Sequence, residues 1–180
     1  MTEISFHFNA TDKLTYACRL LRKAVNGGAQ VVVAAAPETL ANLDTLLWTI
    51  SPLDFIAHCF ANADTALVSA SPVLLGMPDA TLQGQRAPFA LQSAQESRDS
   101  GAYAVSINSP ACAVTKPVVL VNLGDEVPEG FERFVRLVEI VAAGEEDRVR
   151  ARDRWKHYAH RGYAITRHDL AAKLGAQSAS

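Results

Sequence analysis

A chain of 180 residues, 49% hydrophobic and 20% charged, has the length and apolar content to bury the core of one domain, which excludes a disordered chain. Its net charge of −2 removes any global reason to expect nucleic acid, and no apolar run approaches the ~20 residues that a membrane helix needs. Cys18, Cys59 and Cys112 are far apart and form no CxxC pair, and MTEISFHFNATDK lacks the basic-then-apolar pattern of a signal peptide, so a cytoplasmic protein is expected.

In chain order, EISFHFN alternates Ile4, Phe6 and Phe8 with polar neighbours, the period of a half-buried strand. Thr11 or Asp12 can cap a helix in which Leu14, Ala17, Cys18, Leu21 and Val25 recur at helical spacing, ended by Asn26-Gly27-Gly28. QVVVAAA, residues 30–36, is a β-branched run suited to a strand buried on both faces. Pro37-Glu38 opens a helix with Leu40, Leu43, Leu47 and Trp48 on its apolar side, closed by Ser51-Pro52. LDFIAHCF, residues 53–60, is too short and mixed to assign, and residues 71–76 offer a short strand. From Met77 to Ser109 the chain is polar and small, as in a long loop or insertion, with room for a hairpin around Tyr103 to Ile107. PVVLVNL, residues 117–123, is the second buried strand. Phe131, Phe134, Val135, Val138 and Ile140–Val141 predict an amphipathic helix, and a last helix runs from Gly144 to Arg161, stopped by Gly162.

Strands alternating with helices imply parallel βαβ units: an α/β three-layer sandwich with a mostly parallel central sheet, Rossmann-like but without a nucleotide-binding loop. The expected organisation is a single domain over 1–174, including the 77–109 insertion, and a disordered tail over 175–180.

No catalytic residue, cofactor site or metal site emerges. The first strand is followed by Asn9-Ala10-Thr11-Asp12-Lys13, without a glycine, and neither GxGxxG nor GxxxxGK[ST] occurs. His157 and His160 can share a helical face but lie among arginines, whose field opposes a cation. Glu145-Glu146-Asp147 suits a helix N-terminus rather than a catalytic cluster.

The segment GEEDRVRARDRWKHYAHRGY, residues 144–163, carries Arg148, Arg150, Arg152, Arg154, Lys156 and Arg161 against Asp153 after its acidic start. Arg148, Arg152, Trp155, Lys156 and Ala159 form one helical stripe, while Val149, Ala151 and Tyr158 can turn toward the sheet. Such a stripe is a solvated face with Trp155 in the core, or a docking site for an acidic partner with an apolar group. A direct single-stranded nucleic-acid contact through 148–161 is a second reading, and a small nucleotide-dependent α/β enzyme a third.

ARDRWKHYAHRGYAI, residues 151–165, resembles the C-terminal helix of DNA polymerase III chi subunits, with their Ala-Arg-acid-Arg-aromatic-Lys pattern and downstream Gly-aromatic. LANLDTLLWTISPLDFIAHCF, the short acid-Ile-x-Phe-x-aromatic start and PVVLVNLGDEVPEGFERFVRLVEIV are similar to further family segments in the same order, so the resemblance covers roughly three-quarters of the chain. The chain departs from the pattern at the insertion after Met77 and in its longer tail. The resemblance implies a non-catalytic adaptor of the DNA polymerase III holoenzyme. It would bind the acidic, Phe-terminated C-terminal tail of single-stranded DNA-binding protein and, through another surface, a psi-like clamp-loader subunit. Carried over by position, Arg152, Trp155 and Lys156 match the tail-binding residues, with Trp155 where a tyrosine is expected, and Val141 supplies apolar pocket wall. Trp48 and Phe55 match the psi-contacting positions, although burial tendencies alone would put both in the core.

Overall fold

The computed structural model describes residues 2–50, 55–76 and 118–171. Ser51-Pro52, the 77–109 insertion with its hairpin, Cys112 and the 175–180 tail lie outside the described residues. Within them, the alternating start forms β1, Glu3–Ala10, with Ile4 and Phe6 fully buried. Asp12 then caps α1, Lys13–Asn26, its carboxylate accepting from the N–H groups of Leu14 and Thr15. Those are amides a phosphate would use at this turn, so the first strand–helix junction is already occupied by an acid.

β2 (Gln30–Ala34) leads into α2 (Pro37–Thr49), which buries Leu40, Leu43 and Leu47. β3 (His58–Phe60), α3 (Thr65–Ala70) and β4 (Val73–Leu75) follow, then β5 (Val118–Asn122). A 3₁₀ turn at Phe131–Arg133, β6 (Arg136–Ala142), α4 (Glu145–His160) and β7 (Ile165–Asp169) complete the described chain.

The strands make one seven-stranded sheet in the order β3-β4-β2-β5-β6-β1-β7, every neighbouring pair parallel. The chain steps one way along the sheet through α1 and α2, whose apolar residues join Val31, Val33, Val121, Val138 and Ile140 on one face. It returns through α3 and α4, which pack with Phe6, Val32, Leu120, Leu137 and Val141 on the other. Opposite directions of travel on opposite faces keep the crossovers through these four helices right-handed. The expected three-layer α/β architecture is thus observed.

The helix expected over Phe131 to Val141 is instead β6, with only the 3₁₀ turn helical. Arg136–Ile140 pairs with β1, and Arg136–Glu139 also pairs with β5, so this segment is central and covered on both faces. A strand so placed needs apolar groups at consecutive positions, and Leu137, Val138, Ile140 and Val141 provide them around Glu139. The short segment at 58–60 is an edge strand, and β7, too polar to be anticipated, is the opposite edge.

Candidate functional site

Two clusters of aromatic side chains lie toward the two ends of this sheet. The first is built by α2 and the chain entering β3. Trp48 is 60% exposed and Phe55 66%, with ring centroids 5.1 Å apart. The core position that burial tendencies favour for this pair is therefore not observed; Trp48 leaves the apolar side of α2 on which Leu47 is buried. His58 supports the pair from β3, its ring 5.2 Å from Trp48 and its Nδ1 donating to the Ile56 carbonyl at 2.6 Å. Its Nε2 lies 3.2 Å from the Asp44 carboxylate on α2. Phe60 at the end of β3 and Leu67 on α3 are also exposed.

The second cluster forms where α4 crosses β1 and β7. Trp155 is half-buried, its ring 4.9 Å from Phe6 and 6.2 Å from Phe8 on β1. Arg167, on β7, lies over both the indole (5.2 Å to the centroid) and the Phe8 ring (5.9 Å), a cation–π arrangement. Arg152 and Lys156 project from α4, exposed, each beside an acid of the same helix: Arg152 donates to Glu145 at 3.1 Å and Lys156 to Asp153 at 3.0 Å. Arg150 pairs with Asp125, and Arg161 with Glu132 at 3.0 Å. Asn9, with φ 62°, closes β1, accepting from Arg148 at 2.7 Å and donating to Asp169 at 2.8 Å. Asparagine tolerates that left-handed backbone better than most residues, and here it links β1, α4 and β7.

Val141 is not at a helix end but in β6, fully buried on the sheet face beneath α4. It therefore offers no surface of its own beside Trp155 in this structure. Val149, expected to turn inward, is 48% exposed, whereas Ala151 and Tyr158 are buried as anticipated.

Arg154, which the sequence reading counted among the cations of 144–163 without giving it a face, is 2% exposed and faces a fully buried Glu139. Its Nε donates to Glu139 Oε2 at 2.9 Å and its Nη1 to the Asp125 carbonyl at 2.9 Å, while Nη2 has no partner among the described residues. Tyr158 donates to Glu139 Oε1 at 2.7 Å, and Asn122 donates to both carboxylate oxygens and to the Glu126 carbonyl. Burial pushes the Glu139 carboxyl above its ordinary value, opposed by the charge of Arg154 and by these hydrogen bonds. Burial, and then the Glu139 charge, raises the Tyr158 phenol far above its usual value. The network fixes the rotation of α4 about its axis, so that Arg152 and Lys156 face water while Trp155 reaches β1. An acid inside the LVEIV run was the available signal for it.

Among the described residues no group of three metal-ligating side chains is assembled, and no helix is long and apolar enough to cross a membrane. The sequence model of the family described as DNA polymerase III chi subunit, HolC, matches residues 1–100 and 88–166. The DNA polymerase III subunit chi of Pseudomonas aeruginosa is 27% identical over 175 residues, which span 94% of this chain and 98% of that protein. With the matched segments including both aromatic clusters, the chain belongs to the DNA polymerase III chi subunit family, accessory subunits of the polymerase holoenzyme.

Proposed function

We propose that this chain is a non-catalytic adaptor. It would hold the acidic, Phe-terminated tail of single-stranded DNA-binding protein at the Trp155 cluster and a psi-like clamp-loader subunit at the Trp48–Phe55 cluster. The observation that carries this reading is the separation of the two clusters. One borders β3 and the other β7, at opposite ends of a seven-stranded sheet, about 30 Å apart at the usual strand spacing. Partners seated there do not compete for the same surface, which is what a bridge requires.

Exposed tryptophan and phenylalanine in contact are costly to leave in water and suit the centre of a protein interface. At the other edge, Arg152 and Lys156 supply charge and Trp155 with Phe8 an apolar wall, the complement of an acidic segment ending in an aromatic residue. The surface cations of α4 are interleaved with acids, from Arg150–Asp125 to Arg161–Glu132, which favours a short acidic peptide over a continuous phosphate backbone.

Titration with an acidic Phe-terminated peptide, followed by Trp155 fluorescence in a Trp48→Phe background, tests the tail site. Saturable binding is expected, weakening with salt and abolished when the terminal Phe is removed. Arg152→Ala should weaken it without loss of the fold. Absence of binding at low salt, or tail-independent binding of bare single-stranded DNA in its place, refutes the reading.

A further inference from the structure

In the Trp155 cluster the cations differ in what they must give up to meet an anion. Arg152 is already bonded to Glu145 and Lys156 to Asp153, so a bound carboxylate has to compete with an internal one for each. Arg167 has no carboxylate partner among the described residues; its guanidinium lies over the Trp155 and Phe8 rings. It projects from the edge strand β7, opposite Phe6 in the β1 register, and is exposed. A guanidinium stacked on aromatic faces keeps its N–H edge available for two parallel bonds to one carboxylate, and its stacking lowers the ordering cost of binding.

Covalent geometry then selects which carboxylate it meets. If the last residue of a docked segment rests its side chain against the Trp155–Phe8 wall, its α-carboxylate, attached one atom before that side chain, must lie beside the same wall. Arg167 is the cation lying over that wall; Arg152 and Lys156 project from α4. Resting on the tail-docking reading above, we propose that Arg167 receives the terminal carboxylate of the bound segment, leaving Arg152 and Lys156 to the acidic residues that precede it. The site would thereby read a chain end and not merely an acidic stretch.

The test uses the full chain and two probes, an acidic Phe-terminated peptide with a free C-terminus and the same peptide amidated. The wild-type protein should bind the free acid about tenfold more tightly than the amide, the scale of one charge-assisted contact. Arg167→Leu, which retains apolar cover on the rings, should weaken the free acid about tenfold and bring the acid-to-amide ratio close to one. Arg167→Lys should restore part of that ratio. Circular dichroism checks that both variants remain folded, and the ratio is insensitive to a uniform loss of affinity. Full discrimination retained in Arg167→Leu, or equal binding of acid and amide by the wild type, overturns the assignment of Arg167 while leaving tail docking intact. No binding of either peptide to the wild type overturns tail docking, and this inference with it.

Discussion

Replacing Glu139 by Gln is expected to remove a large share of the stability of the domain. The carboxylate is fully buried and, among the described residues, is the one acidic group bonded to Arg154, itself 2% exposed. Among the described residues, its loss leaves a buried guanidinium with only the Asp125 carbonyl as partner, and Nη2 has none already. The new amide also turns a donor toward Asn122, Arg154 or Tyr158, each of which currently donates to Glu139. Breaking one side of a buried ion pair costs about 3–5 kcal/mol, against about 5–15 kcal/mol for the whole of a typical domain. With a urea m-value of about 2 kcal/mol/M, the unfolding midpoint should fall by about 2 M.

Glu139→Leu and Arg154→Met should each be similarly damaging, whereas the two combined should lose far less than the two single losses added together. Equilibrium urea unfolding followed by far-ultraviolet circular dichroism gives all four corners of this cycle. A loss below about 1 kcal/mol for Glu139→Gln would mean that the carboxyl is already protonated opposite Arg154, and that the ion pair does not hold α4.

Trp48→Ala and Phe55→Ala should each change stability by no more than about 0.5 kcal/mol in thermal unfolding, because both rings are exposed; a core aromatic would cost about 3–5 kcal/mol. Asp12→Ala should cost about 1 kcal/mol through loss of the α1 cap. The Thr15 hydroxyl and the Thr15 amide hold the Asp12 carboxyl below its ordinary 3.8. Its contribution is therefore complete above pH 3.8 and disappears as pH falls through the lowered value, so the wild-type and variant unfolding curves should converge in acid. Burial, and then the charge of Asp12, pushes the Cys18 thiol up to about 11. At pH 8 a thiol reagent should spare Cys18 in the native protein and modify it after unfolding in urea, as read by peptide mass mapping.

The elements legible in the sequence are those whose pattern reflects one dominant constraint. VVVA in β2 and VVLV in β5 lie in central strands with both faces covered, which favours apolar groups at consecutive positions, so their runs identify them. α1 is legible because its cap, its apolar spacing and its terminal glycines agree. β7 was not, because an edge strand with Thr166, Arg167 and Asp169 exposed carries almost no burial pattern. At the sites, residue type identified Arg152, Trp155 and Lys156 as one group on α4, but Phe8 and Arg167 join them only through strand pairing, which spacing along one helix cannot reveal.

β6 was misread and Arg154 left without a place for a single reason. Phe131, Phe134, Val135 and Val138 satisfy helical spacing, and an acid at 139 looks like the solvent side of such a helix. The same letters fit a central strand only if something neutralises Glu139 in the interior, and that group is Arg154, fifteen residues away on α4. Conversely, Arg154 reads as one more surface cation unless a buried acid awaits it. Each residue is anomalous alone and ordinary once paired, so neither could be assigned without the other. The pair also explains why a helix so rich in arginine presents a divided surface: α4 turns one of its cations inward to hold its orientation, while Arg152 and Lys156 stay exposed on either side of an indole that reaches across to β1 and β7.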